Sequence, residues 1–505
     1  MIKNIKWLLL VSLTFTACTS NTDDTTVAEV PITAGTADFS KYVALGNSIT
    51  AGYTDGALFE RGQLNSYPKL MSAQFALAGG GDFKVPYTND NQGGLLFNGN
   101  VIQGSRLIFN GSSPVPLPGI PTTEVLNHLS GTFNNLGVPG AKSFHLLAPN
   151  YGNPAGVPVG TANPYFVRFA SSPTTSVVAD AMAQTPTFFS LWIGNNDVLG
   201  YALSGGDGTN PITPVTGNPG VGFEGTYNTL VTTLTSGGAK GVVANIPDVT
   251  GIPFFKTIPF NPLTASLLGG GNVATGNATI TALNTQLYGP LKQALTAFSA
   301  GDRINLLSTT GGNPLLIKDE SLVNLSAQLT AAFTPSLGAA TATFYGNVFG
   351  QARQATSSDL VLLTTRGVIG TAPTGIPAPL NKFGITYPLQ DKHILIPTEI
   401  ADLKTATDAY NAIIKTAAES KGLAFVDANL VLFQLANGGI RFDNYHMTSD
   451  FVRGGAFGLD GIHLTARANA YIANKFLEAI NVTYGATFRF NKPQDFPLSY
   501  PAMLP

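Results

Sequence analysis

The chain has 505 residues, enough for one large domain or two or three ordinary ones, and enough to bury a sizeable core. Only 11% of them are charged, with 27 Lys+Arg against 29 Asp+Glu and a formal net charge of -2, where an average soluble domain carries about 25%. No basic footprint exists to hold phosphates, which argues against a nucleic-acid partner, and 44% hydrophobic with 10% aromatic residues argues against disorder.

At the N-terminus, Lys3 and Lys6 precede an apolar run from Trp7 to Leu13, then Thr14-Phe15-Thr16-Ala17-Cys18. A basic start, a short apolar stretch and a small residue before the break form a secretory signal, too short to span a bilayer. The break falls at Cys18, the only cysteine, and resembles a bacterial lipobox, in which that cysteine becomes the lipidated first residue. Residues 1–17 are thus expected to be a signal peptide and 18–40 a lipidated tether, since Thr19 to Asp38 is rich in Thr, Ala and Asp and lacks periodicity. This implies an exported lipoprotein of the cell envelope, held at the outer membrane. With Cys18 lipidated, the mature domain has no thiol for a disulfide or a catalytic cysteine.

Five short apolar runs follow, each stopping at Gly, Asn, Pro or Asp: Tyr42–Leu45, Thr132–Asn135, Thr187–Ile193, Gly241–Ile246 and Leu423–Val426. They read as buried parallel strands. Helical periodicity covers Ile400–Ser420, closed by Gly422, and Thr465–Ile480. Alternating strands and helices predict an α/β sheet with helices on both faces over residues 41–480, followed by an extension over 481–505. Ligands bind such sheets beyond the C-terminal strand ends. Two stretches, 54–131 and 251–392, exceed what crossovers need. Within the second lie an amphipathic stretch, Ile280–Phe298, and apolar runs at Leu315–Ile317 and Leu360–Ile369. Long ordered insertions at strand ends are expected to build lids or pocket walls.

The strand ends carry the chemistry. Strand one ends in Gly46-Asn47-Ser48-Ile49-Thr50-Ala51-Gly52, where Ser48 reads equally as a helix cap or as an exposed nucleophile. Strand two ends in Asn135-Leu136-Gly137-Val138-Pro139-Gly140, either a plain turn or a source of backbone N–H groups for an oxyanion. Strand three ends in Gly194-Asn195-Asn196-Asp197, which is good turn chemistry but also offers a neutral side-chain donor. Before the last helix stands Asp460-Gly461-Ile462-His463; a carboxylate three residues from an imidazole can fix its tautomer and stabilise the imidazolium. Asp443 and His446 share that spacing but lack the glycine and the following helix.

These four pieces, in this order, resemble the SGNH hydrolase family. Gly46-Asn47-Ser48 matches the family's G-D-S block with Asn for Asp. Gly140 matches the oxyanion glycine, Asn196 the asparagine of G-x-N-D, and Asp460 and His463 the D-x-x-H. Asn245 to Pro253 looks like the segment after strand four in the branch of plant GDSL lipases and bacterial haemolysin-like lipases. The resemblance implies a flavodoxin-like three-layer α/β/α fold with a five-stranded parallel sheet. It also implies ester hydrolysis through an acyl-enzyme. Ser48 would be the nucleophile, His463 the base and Asp460 its orienting acid, with the oxyanion held by the N–H groups of Ser48 and Gly140 and the amide of Asn196. The expected partner is a small-molecule, lipid or glycan ester, beside the membrane reached through the anchor. No cofactor is implied, and no metal motif is present. An acyltransferase using the same residues, or a surface binding lipoprotein that has lost turnover, are the alternatives.

Overall fold

The computed structural model describes residues 31–209 and 211–504. The signal peptide and Cys18 lie outside the described residues. Five parallel strands form the central sheet: β1 (Tyr42–Gly46), β2 (Asn135–Gly137), β3 (Phe188–Trp192), β4 (Lys240–Ala244) and β5 (Ala424–Val426). Their order across the sheet is β2-β1-β3-β4-β5, so the chain reverses direction between β1 and β3. That places a switch point at the C-terminal edge beside Ser48. β1 is buried at every position and β3 likewise, as strands covered on both faces must be.

Helices cover both faces. On one side α1 (Tyr67–Ala76) packs against α6 (Ala466–Tyr484), and on the other α2 (Asn195–Leu203) and α3 (Phe223–Thr235) pack against α4 (Pro397–Lys421). A short apolar helix, α5 (Ala428–Ala436), follows β5 directly. α4 starts with proline at its first position and ends on Gly422 in the left-handed conformation. α6 is capped by Thr465, whose hydroxyl accepts the Ala468 N–H. The expected α/β layering is present, and among the described residues no helix is long and apolar enough to cross a membrane.

Several boundaries differ from the sequence reading. β2 occupies 135–137, not Thr132–Asn135, because pairing with β1 aligns Ala44 with Asn135 and short apolar content alone does not set register. The region 54–131 is not wholly an insertion: it contains α1, the crossover helix that closes one layer, and only then two β-hairpins over 95–116. The expected tether ends earlier than residue 40. Thr36 N–H donates to the Tyr484 carbonyl at 2.8 Å, and the Phe39 ring, 2% exposed, stacks 4.2 Å from Phe75. The expected extension over 481–505 is likewise part of the domain, since α6 runs to Tyr484 and Tyr500 packs edge-on against Phe59.

The second insertion forms hydrophobic clusters of its own. Its amphipathic stretch is a broken helix, Val273–Leu283 and Gly289–Thr296 joined by a π-turn, and Leu291 and Leu295 pack with Leu316 and Leu329. Leu315, Ile317 and Val361 pack together in a separate cluster. Arg353 ties the region internally, reaching Asp319 at 2.5 Å and Asp359 at 2.6 Å. Leu315, Ile317 and Val361 are therefore spent on the insertion's own packing, whereas Leu360 and Leu362 join the main core and Leu363 packs against it.

Candidate active site

Ser48 stands immediately beyond β1. Asn47 caps the single turn Ser48–Ala51, its Oδ1 accepting the Ile49 N–H at 3.1 Å, while its Nδ2 donates to Asn195 Oδ1 at 3.3 Å. Both functions of the Asn47 amide are used, and a carboxylate there would lose the second. The cap holds the Ser48 Oγ 2.9 Å from His463 Nε2. On the other side of the ring, His463 Nδ1 lies 2.8 Å from Asp460 Oδ2. The tautomer follows from the network: Asp460 can only accept, so Nδ1 carries the hydrogen and Nε2 faces the serine hydroxyl as a lone pair.

Asp460 is held from both sides. Its Oδ1 accepts the N–H groups of Ile462 and His463, each at 2.9 Å, which closes the turn and explains the three-residue spacing. Its Oδ2 also accepts the Gly56 N–H at 2.9 Å, from 404 residues away. Burial alone would raise its pKa. The charge and side-chain hydrogen bond of His463, with the backbone N–H groups of His463 and Ile462, outweigh that and hold it at about 2. Gly461 sits at φ +71, where a side chain would also crowd Phe254 and Leu363.

Three hydrogen-bond donors face or adjoin the same edge. The Ser48 and Gly140 amides donate to no other group among the described residues. Asn196 enters from the first turn of α2, where Gly194 at φ +119 brings the backbone so close to Ile246 that a Cβ would lie 2.4 Å from it. Asn196 Nδ2 donates to the Ala141 carbonyl at 2.9 Å. One amide hydrogen is thus used to fix the side chain, leaving the second to act. The loop carrying Gly140 is itself pinned: Asn163 Nδ2 donates to the Pro139 carbonyl at 2.8 Å. Asp197, fully buried, accepts the Ser143 N–H at 2.8 Å and its hydroxyl at 2.7 Å, tying the exits of β2 and β3 together.

His446 shares no hydrogen bond with this network among the described residues. It lies on the hairpin Ile440–Phe442/Tyr445–Met447, exposed, with Nε2 2.8 Å from the Gly438 carbonyl.

Four residues of the site were not anticipated. The Tyr53 ring packs against His463, with centroids 4.6 Å apart, and Gly56 supplies the third N–H to Asp460. Asn163 fixes the loop that carries Gly140. Asp55, 2% exposed, accepts the Leu459 N–H at 2.7 Å and so anchors the loop that carries Asp460. The Asp55-Gly56 pair is a turn signal that sequence reading leaves as the start of an insertion; its role depends on a fold that brings residue 56 to residue 460.

Burial pushes the Asp55 carboxyl up to about 7; the Leu459 N–H, Arg106 and His463 oppose this, and the neighbouring Asp460 charge adds to it. Because the folded pKa lies above the unfolded value of 3.8, the native state holds the proton more tightly. Stability from this group is present below about pH 4 and is lost as pH rises toward 7. The cost of ionising Asp55 above neutrality is at most about 4 kcal/mol. Asp55→Asn keeps an acceptor for Leu459 without the charge. Its unfolding free energy is therefore expected to gain on the wild type by a few kcal/mol between pH 5 and pH 9, read from urea titrations at the two pH values. Parallel pH dependences would mean that Asp55 is ionised throughout.

Beside Ser48 and His463 opens a pocket. Asn47, Asn195 and Asn196 line it with Ser48 and His463, and the remaining wall is mainly aliphatic, from Val249, Ile252, Val431, Leu432, Leu435 and Ile472 among others. Apart from Ile252 none of those six belongs to either insertion, which corrects the expectation that both insertions wall the site.

The molecule is thus a three-layer α/β/α protein with a Ser–His–Asp hydrogen-bond chain at the C-terminal edge of its sheet. Compared with family models, curated proteins and solved structures, the chain matches none.

Proposed function

We propose that this chain is a carboxylic ester hydrolase of the SGNH type. The observation that carries the reading is the unbroken line Ser48 Oγ–His463 Nε2 (2.9 Å) and His463 Nδ1–Asp460 Oδ2 (2.8 Å), which is the geometry of an activated serine. The strand order β2-β1-β3-β4-β5 is also the order of flavodoxin-like folds, which supports the family resemblance.

In this mechanism Ser48 Oγ attacks the ester carbonyl carbon while its proton passes to His463 Nε2. The imidazolium is stabilised by the Asp460 carboxylate. The carbonyl oxygen becomes an oxyanion that takes hydrogen bonds from the Ser48 and Gly140 N–H groups and the free hydrogen of the Asn196 amide. Collapse breaks the carbonyl–alkoxy bond, and the departing alcohol takes the proton from His463. Water, deprotonated by the same nitrogen, attacks the acyl-Ser48 ester; a second collapse releases the acid and returns the proton to Ser48.

Asn196→Ala should lower kcat for p-nitrophenyl ester hydrolysis about 10²–10³-fold with little change in KM, because the lost donor acts mainly on the transition state. A rise in KM at constant kcat would make Asn196 an ordinary substrate contact.

A further inference from the structure

The pocket beside Ser48 is walled mainly by apolar side chains. Of the side chains with a role in the proposed mechanism, Ser48, Asn196 and His463 line it, and much of the remaining wall is built by one face of α5, where Ala428, Val431, Leu432 and Leu435 recur at helical spacing. Ile472 from α6, with Val249 and Ile252 from the turn after β4, stand with them. α5 is itself a consequence of sequence: Asp427 caps it through the Leu430 N–H at 2.9 Å, and its inward residues are each at most 7% exposed.

Several of the remaining polar groups of the wall are already engaged. Trp192 Nε1 donates to the Asn245 carbonyl at 3.0 Å, and Asn47 and Asn195 bond to each other. None of the buried side-chain polar atoms lacking a partner belongs to a residue of this pocket. A sugar or other polyhydroxyl group placed there would find few partners and would lose its hydration, whereas an alkyl chain would not.

We infer that this pocket binds the acyl chain of the ester, and that it fits straight acyl chains of roughly six to eight carbons, counting the carbonyl carbon held at Ser48. The inference rests on the esterase reading given above. The cavity measures about 70 Å³, and one water-sized group occupies roughly 10–15 Å³ of such space, so about five to seven such groups fit. The acyl group is favoured over the alcohol as occupant because it stays on Ser48 through both half-reactions. Contacts to it stabilise both transition states, while contacts to the alcohol act only on the first and retard its departure.

The test is a series of p-nitrophenyl esters from acetate to palmitate, measured as monomers below their aggregation thresholds. kcat/KM should rise up to about fourfold per added methylene until the pocket fills, then fall beyond octanoate. Leu432→Trp should cut the hexanoate-to-acetate ratio of kcat/KM at least about tenfold, and Leu435→Ala should move the optimum about two carbons longer; the opposite directions keep the test informative if one variant fails to fold. A series that is flat or falls from acetate, or an optimum unmoved in a folded variant, overturns the inference. So does a matching rise along acetate esters of ethanol to octanol with no acyl-chain preference. Absence of hydrolysis of every ester by the folded wild-type chain would instead overturn the esterase reading itself.

Discussion

Ser48→Ala and His463→Ala are each expected to lower kcat by about 10⁴-fold or more while the fold survives. The size follows from the coupling seen in the site. Without the Ser48 hydroxyl no acyl-enzyme forms. Without the imidazole the proton has no acceptor 2.9 Å away, and residual turnover then comes only from the oxyanion donors and binding. The two losses should not add in the double variant, because both remove the same step. The fold should persist, since neither side chain fills the core formed by β1, β3 and α6. His446→Ala is the control: this exposed imidazole on its hairpin hydrogen-bonds the Gly438 carbonyl and no group of the site, so kcat should stay within about twofold of the wild type. Steady-state hydrolysis of a p-nitrophenyl ester, with circular dichroism of each variant, separates these outcomes. A reversal of the two histidine effects would mean that the base has been wrongly assigned.

Asp460→Asn should cost about 10³–10⁴ in kcat. The substitution keeps nearly the same shape but places an amide group where a carboxylate accepts from His463 Nδ1 at 2.8 Å. Turning its NH₂ toward Nδ1 favours the tautomer with hydrogen on Nε2, which cannot receive the Ser48 proton. Turning its oxygen there instead sets the NH₂ against the N–H groups of Ile462 and His463. Either way the imidazolium loses its counter-charge. The loss should appear in kcat with KM nearly unchanged, since Asp460 meets no substrate. An effect below about tenfold would show that the Asp460 charge contributes little and that His463 is oriented adequately by packing against Tyr53.

The parts of this site that were legible in the sequence are those with short-range signatures. β1 and β3 read as continuous apolar runs because both their faces are buried, and Asp460 and His463 read together because one turn joins them. Asn196 was legible as a donor, though not the bond to Ala141 that fixes its orientation. What was not legible depends on contacts between distant residues. Gly56 and Asp55 reach Asp460 and Leu459 across 404 residues, and no periodicity announces such a meeting. α1 was missed because Ser66-Tyr67-Pro68 opens it amid a Gly- and Asn-rich stretch whose composition reads as loop. α5 was missed for a different reason. Its residues are apolar around most of the helix, so the run after Asp427 shows no 3.6-residue alternation, yet this is the helix whose inner face walls the pocket. The second insertion misled in the opposite direction: its apolar runs were visible, but sequence alone does not tell residues that line a site from residues that pack on one another, as Leu315, Ile317 and Val361 do.

Whether Ser48 is an activated nucleophile is tested by labelling the folded protein with a fluorophosphonate, followed by mass spectrometry of its peptides. The phosphonyl phosphorus is attacked by the serine oxygen with loss of fluoride, and only a serine paired with a base reacts at a useful rate. A single adduct is expected on the peptide containing Ser48, absent in Ser48→Ala and strongly slowed in His463→Ala. No adduct on Ser48 in the folded wild-type protein, or a dominant adduct on another residue, would contradict it.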